Sequence, residues 1–284
     1  MKKHLPTIMM SFVLLVGLFL LFYPTISNMY NNYLNNKLIG EYQQSCSDIK
    51  TEQYEQAKKD AVKYNEYRNN PHMLKELGLT YEDVLNISNN GIMGYLEIPK
   101  ISVSLVIYHT TNEDYLNNGI GHMKETALPI GGESTHSVLA GHTGLPSAKL
   151  LTNIDHLKTG DVFYIHVLDE VLEYQIDNIS VVEPHEVSRI NVVNGKDYVT
   201  IVTCTPYGVN SHRLLVRGVR ANSGNTANAD VAFVQEDMSF VDIMYPVTFS
   251  FIGLCVIYLI VIKLIKVIKS KNSDKKEKLN AESK

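Results

Sequence analysis

The chain has 284 residues, 45% of them apolar, with a formal net charge of −4. That length allows one or two domains with a sizeable core. Three cysteines are too few for a disulfide scaffold, and the balance of 26 basic against 30 acidic residues supplies no basic surface for nucleic acid.

Residues 5–23 are mostly apolar and follow Lys2, Lys3 and His4. Cleaved signal peptides and membrane anchors share this pattern. The following TISNMYNN offers no convincing small-x-small cleavage site, which favours the anchor. A second apolar run, 243–262, is long enough to span a bilayer and is followed by Lys263, Lys266 and Lys269. Lysines on the outer sequence ends of both runs predict cytoplasmic termini, with about 30–242 outside. That middle region holds 16 Lys and Arg against 27 Asp and Glu, a net of −11. The balance argues again for no nucleic acid and fits a solvated acidic surface.

Residues 30–44 are polar, rich in Asn and Tyr, and suited to continue the first helix. Residues 47–68 predict a helix, with Ser47 as N-cap and Tyr54, Ala57, Ala61 and Tyr64 on one face. Asn69-Asn70-Pro71 ends it. Short helical turns are expected at 73–77 and 81–87, with Gly78 between them and a loop at 88–91. From Gly91 the period changes from helical to that of strands. Tyr95, Leu96 and Ile98 form a strand stopped by Pro99. Ile101, Val103, Leu105 and Ile107 alternate with Ser102, Ser104 and Val106 as a half-buried strand. One helical turn fits 112–116, a strand 135–140, and a short helix 146–152 with Pro146 in its first turn. Strands at 161–168 and 171–182 are joined by Asp169-Glu170. A long connection, 183–196, leads to a hairpin over 197–217. Strands outnumber helices and turn signals recur, which predicts a mostly β fold: a mostly antiparallel barrel with short helices, an N-terminal helical region and two transmembrane helices. The expected domains are an anchor at 1–29, a helical region at 30–90, a barrel at 91–222, a linker at 223–242, a second span at 243–262 and a basic cytoplasmic tail at 263–284.

The hairpin DYVTIVTCTPYGVNSHRLLVR (197–217) puts Cys204 where its first strand ends and Arg213 where its second begins. Upstream, LAGHTG (139–144) ends an apolar run in His142, flanked by glycines. A thiol, an imidazole and a guanidinium on strand ends suffice for covalent acyl transfer.

TIVTC (200–204) resembles the Thr-Leu-x-Thr-Cys signature of sortases, with Ile201 for leucine and Arg213 nine positions after the cysteine. Residues 91–109, 139–157 and 204–218 resemble class C sortases, the pilin polymerases of Gram-positive bacteria. The likeness is dense from 91 to 220. It implies an eight-stranded sortase-type closed barrel and a membrane-anchored cysteine transpeptidase. Such an enzyme cleaves a Leu-Pro-x-Thr-Gly-like sorting signal and passes the acyl group to a lysine of another pilin. Its catalytic residues would be Cys204, His142 and Arg213, with Thr203 and Thr205 in substrate binding. Pilins and the membrane are the expected partners. No cofactor or metal is expected, because the His and Cys spacings match no zinc pattern. A housekeeping sortase, a hydrolytic cysteine protease and a non-catalytic pilus-assembly scaffold are the alternative readings. His212 competes with Arg213 for the place beside Cys204, but strand alternation turns adjacent side chains to opposite faces. Class C sortases carry an Asp-Pro-aromatic lid motif before the barrel. Here the nearest proline is Pro71, in Asn70-Pro71-His72, so a less occluded resting site is expected.

Overall fold

The computed structural model describes residues 5–186, 190–221, 253 and 263. Its packing divides the chain into two units, one over Ser27–Gln235 and one from the segments on either side. The expected linker, second span and basic tail lie outside the described residues, apart from the helical Gly253 and Lys263.

Helix α1 (Leu5–Asp48) runs through Pro24. Among the described residues it is the one helix long and apolar enough to cross a membrane. It ends at Asp48, one residue past the expected start of the next helix. Ser47 lies inside α1 and donates to the Gln44 carbonyl at 2.8 Å, so it is no N-cap. Helix α2 (Thr51–Tyr67) begins after Lys50 without a side-chain cap. Helix α3 (Pro71–Glu76) is capped by Asn70, whose side chain accepts from the Met73 N–H.

Eight strands follow: β1 (Ile92–Ile98), β2 (Val103–Tyr108), β3 (Ile120–His122), β4 (Thr135–Gly141), β5 (Val162–Val167), β6 (Glu170–Val182), β7 (Asp197–Thr205) and β8 (His212–Arg220). Helix α4 (Glu113–Leu116) lies between β2 and β3. The strands close into a barrel in the order β1-β2-β3-β4-β7-β8-β6-β5. The β2–β3 and β4–β7 pairs are parallel and the others antiparallel. Inward side chains such as Leu96, Ile107, Leu139, Phe163, Ile201 and Val216 fill the interior.

Two expectations fail for reasons visible in the packing. Strand β2 is buried on both faces, not one, because Ile39 and Tyr42 of α1 cover Val106 and Tyr108. Residues 146–152 form bends and turns instead of a helix. A helix there would bond the Leu151 N–H to the Ser147 carbonyl. Instead Leu151 N–H reaches back to His142 O at 3.2 Å, and Ser147 O accepts from Asn31 of α1 at 2.8 Å. Ala148 and Leu151 sink into the core.

The barrel register also makes openings that the N-terminal region fills. A bulge between Ile92 and Gly94 leaves Met93 without a partner on β2. The Tyr42 hydroxyl donates to the Met93 carbonyl at 3.1 Å and accepts from the Leu168 N–H at 2.8 Å. The Asn65 amide of α2 pairs with both backbone groups of Leu128, at 3.2 and 2.7 Å. Tyr81, Val84 and Leu85 join the core itself. Tyr81 also donates to Nδ1 of His122 at 2.8 Å, while Nε2 of His122 faces the Ala127 carbonyl at 2.8 Å. The carbonyl can only accept, so the neutral Nε2–H tautomer satisfies both contacts.

Burial pushes the His122 imidazole from its ordinary 6.5 down to about 4. The unfolded chain binds this proton near pH 6.5 and the folded chain near 4, so unfolding takes up a proton between these limits. Stability should therefore fall as pH drops from about 6.5 to about 4, by up to about 3 kcal/mol, and then level off for this group. Denaturant melts across that range should show the slope, and His122→Gln should flatten it.

Candidate active site

Strand β7 ends because Pro206 supplies no N–H, and the turn before β8 uses Gly208 and Asn210, both at positive φ. In the β7–β8 pair Cys204 lies directly opposite Arg213, and Thr205 opposite His212. Directly opposed residues project from the same face. Arg213 therefore shares the Cys204 face, and His212 belongs to the other.

Strand β4 runs parallel to β7 on its other edge, with Ala140 beside Val202 as the last pair. Strand β4 ends at Gly141, and the same register continued two residues past the last pair would set His142 level with Cys204. Neighbouring strands lie about 4.8 Å apart, so on that continuation His142, just past the end of β4, would fall in one row with the paired Cys204 and Arg213. Leu139, Ile201 and Leu214 point into the core, so by alternation the row falls on the outer face. All three residues are half-buried.

The row has structured surroundings. Nη1 of Arg213 donates to the carbonyls of Asn210 at 3.3 Å and His212 at 3.1 Å, which fixes the guanidinium beside its own turn. The loop after β4 is closed by Leu151 N–H on His142 O and by Gly144 N–H on Thr152 Oγ1 at 3.2 Å. The exposed Tyr207 of the β7–β8 turn leans over it, its ring 3.3 Å from where a Cβ on Gly144 would sit. Further along the same face His136 bonds Thr200 Oγ1 at 2.7 Å and the Asn191 carbonyl at 2.9 Å, tying the β6–β7 connection down. Arg217 forms a two-pronged pair with Asp177, at 2.9 and 2.8 Å, and stacks over Tyr198.

Thr203 faces inward, 2% exposed, with no hydrogen-bond partner for its hydroxyl. Thr205 is half-buried at the strand end. The segment that would hold an Asp-Pro-aromatic plug forms α3 instead. There Leu74 packs on the core while Pro71 and His72 are exposed.

A sequence profile of the sortase domain matches residues 96–221. Sortase C1 of Streptococcus agalactiae is 43% identical, with a TM-score of 0.62, over 66% of this chain and 100% of that one. Clostridium perfringens sortase C, solved with the C-terminal cell wall sorting motif, is 42% identical at a TM-score of 0.57, over 66% and 98% of the two chains. Streptococcus pneumoniae sortase C, whose structure is described as giving insight into catalysis and pilin substrate specificity, is 37% identical at a TM-score of 0.56, over 65% and 96%. With identity at this level across whole solved chains, the protein belongs to the sortase family of cysteine transpeptidases, and within it to class C.

Sequence reasoning missed β3, a three-residue strand beginning after Gly119, and the hold of α1 on the His142 loop. The spacing of Asn28, Asn31 and Asn35 could have revealed the second, since it sets three amides on one helix face.

A Cβ on Gly141 would meet Ile120 Cγ2 and Leu151 Cδ1 at 2.7 Å. Gly141→Val should therefore displace the adjacent His142 and cut acyl-transfer turnover about tenfold or more. Peptide kinetics would measure this, with circular dichroism checking that the barrel is intact. Turnover within twofold of the parent would contradict the expectation.

Proposed function

We propose that this enzyme cleaves a Leu-Pro-x-Thr-Gly-like sorting signal between Thr and Gly and joins the acyl group to a lysine amine of another pilin. The observation that supports this reading is the strand register, which pairs Cys204 with Arg213 and, continued past the end of β4, would bring His142 level with them. The Cys204 thiolate attacks the threonine carbonyl, and Arg213 donates hydrogen bonds to the oxyanion. His142 protonates the departing glycine amine, leaving a thioester on Cys204. The incoming lysine amine loses its proton to His142 and attacks the thioester, forming an isopeptide bond and freeing the thiol. Thr205, next in the strand after the nucleophile and half-buried, would contact substrate at the end of β7. Thr203, with its side chain buried, would act on substrate through the main chain or by shaping the strand.

Two of the solved relatives support the substrate class, one through its bound sorting motif and one through its stated pilin specificity. Cys204→Ala and His142→Ala should each abolish acyl transfer, whereas Cys46→Ala should leave it largely intact. Mass spectrometry of the product should find the threonine carbonyl on a pilin lysine. A cell-wall precursor as acceptor would instead identify a housekeeping sortase, and an active Cys204→Ala would overturn the mechanism.

The apolar part of α1 fits membrane anchoring, and the flanking lysines orient the barrel outward with both termini cytoplasmic. Protease added to intact protoplasts should digest the barrel and spare a C-terminal tag. Digestion of the tag would reverse this topology.

A further inference from the structure

Helix α1 presents Asn28, Asn31, Asn35, Ile39 and Tyr42 at spacings of three and four, one continuous stripe. The lower half of the stripe is a docking contact. Ile39 and Tyr42 are buried against Val106 and Tyr108, and the Tyr42 hydroxyl fills the β1 bulge. The upper half differs in chemistry. Asn31 and Asn35 are 8% and 2% exposed, and burying an amide is unfavourable unless its hydrogen bonds are met.

Asn28 and Asn31 meet backbone of the loop that follows His142, and Asn35 meets backbone of β2 and of the turn before β3. Asn31 Nδ2 donates to Ser147 O at 2.8 Å, and Asn28 Oδ1 accepts from Lys149 N–H at 2.9 Å. These two bonds bracket Ala148 in the loop that Leu151 closes onto the His142 carbonyl. Asn35 Oδ1 accepts from Val106 N–H at 3.2 Å, and its Nδ2 donates to Asn118 O. Asn118 leads into β3, where Ile120 pairs with Gly141. The loop therefore has no helix of its own because its backbone groups are held by α1.

We propose that Asn28 and Asn31 are positioning residues for His142, and that the extension of the anchor helix is thereby a working part of the catalytic site. The proposal rests on His142 being the acid/base. Without the two amides the loop loses its outer tether, and the imidazole no longer holds its register against Cys204. Docking of α1 survives, because Ile39 and Tyr42 remain.

The partners' chemistry makes the test directional. A backbone carbonyl requires an N–H from Asn31, which aspartate lacks. A backbone N–H requires an oxygen from Asn28, which aspartate retains. The full chain in detergent would be assayed with a fluorescent Leu-Pro-Glu-Thr-Gly peptide, and iodoacetamide labelling of Cys204 would be followed by mass spectrometry against pH. Asn31→Ala, Asn31→Asp and Asn28→Ala should each lower kcat about tenfold or more, keep KM within about twofold, and shift the pH profile of Cys204 alkylation. Asn28→Asp should stay near the parent. Tyr42→Phe should lower the melting temperature and leave kcat and the pH profile unchanged. With His142→Ala inactive, parental kcat and pH profile in the Asn31 variants would overturn the proposal. So would losses that merely track melting temperature across all variants, Tyr42→Phe included. An active His142→Ala would remove the acid/base assignment and the proposal with it.

Discussion

Strand β7 is hydrogen-bonded to β4 along one edge and to β8 along the other, and these two ladders set where Cys204 stands relative to Arg213 and to the end of β4 that precedes His142. A slip of one residue would send Cys204 into the core and bring Thr203 out, because side chains alternate along a strand. Val199 and Ile201 on β7 with Leu214 and Val216 on β8 prevent that slip, since each is buried in the interior. The reactive row is thus specified by apolar residues that take no part in chemistry. Parallel pairing of β4 with β7 is also why a histidine over sixty residues upstream arrives at the same end of the sheet as the cysteine.

The segment before the barrel serves two purposes. Its α2 and the turns at 81–87 bury Ala61, Tyr64, Tyr81, Val84 and Leu85 in the main core, and Asn65 supplies a side-chain equivalent of a strand pair to Leu128. Helix α3 has few such ties: it buries none of its residues fully and exposes Pro71 and His72. Segments with few buried contacts open at low free-energy cost. This contrast separates the firmly held part of the N-terminal region from the part that stands in sequence where a lid motif would be.

Much of this was legible in the sequence. The β-branched and aromatic residues of 198–202, the turn residues at Pro206, Gly208 and Asn210, and the cysteine-arginine spacing mark the central hairpin in the sequence itself. The row itself was legible as residue types, but its alignment came from pairing between strands distant in the chain. Failures came where tertiary contacts override local preference. Ser47 is a good cap in isolation, yet α1 continues past it while docked on β1 and β2. Pro146 suits a first helical turn, yet Ser147 and Lys149 give their backbone groups to α1. Strand β2 reads as half-buried because nothing within its own sequence announces that a helix will cover its second face.

The Tyr42 hydroxyl, set between Met93 O and Leu168 N–H, bears on where the catalytic domain begins. By sequence the fold starts at Gly91, and every strand lies beyond that point. By hydrogen-bond satisfaction it starts some fifty residues earlier. A barrel cut free at residue 91 would carry an orphan carbonyl at its β1 bulge, orphan N–H groups at Leu168 and Leu128 and a bare apolar strip over Val106. Buried polar groups left unmet cost about 1–3 kcal/mol each. The smallest self-sufficient form of this enzyme is therefore bounded by its unpaired backbone groups, and its first residues belong to the polar continuation of a helix whose apolar start sequence inspection assigns to the membrane.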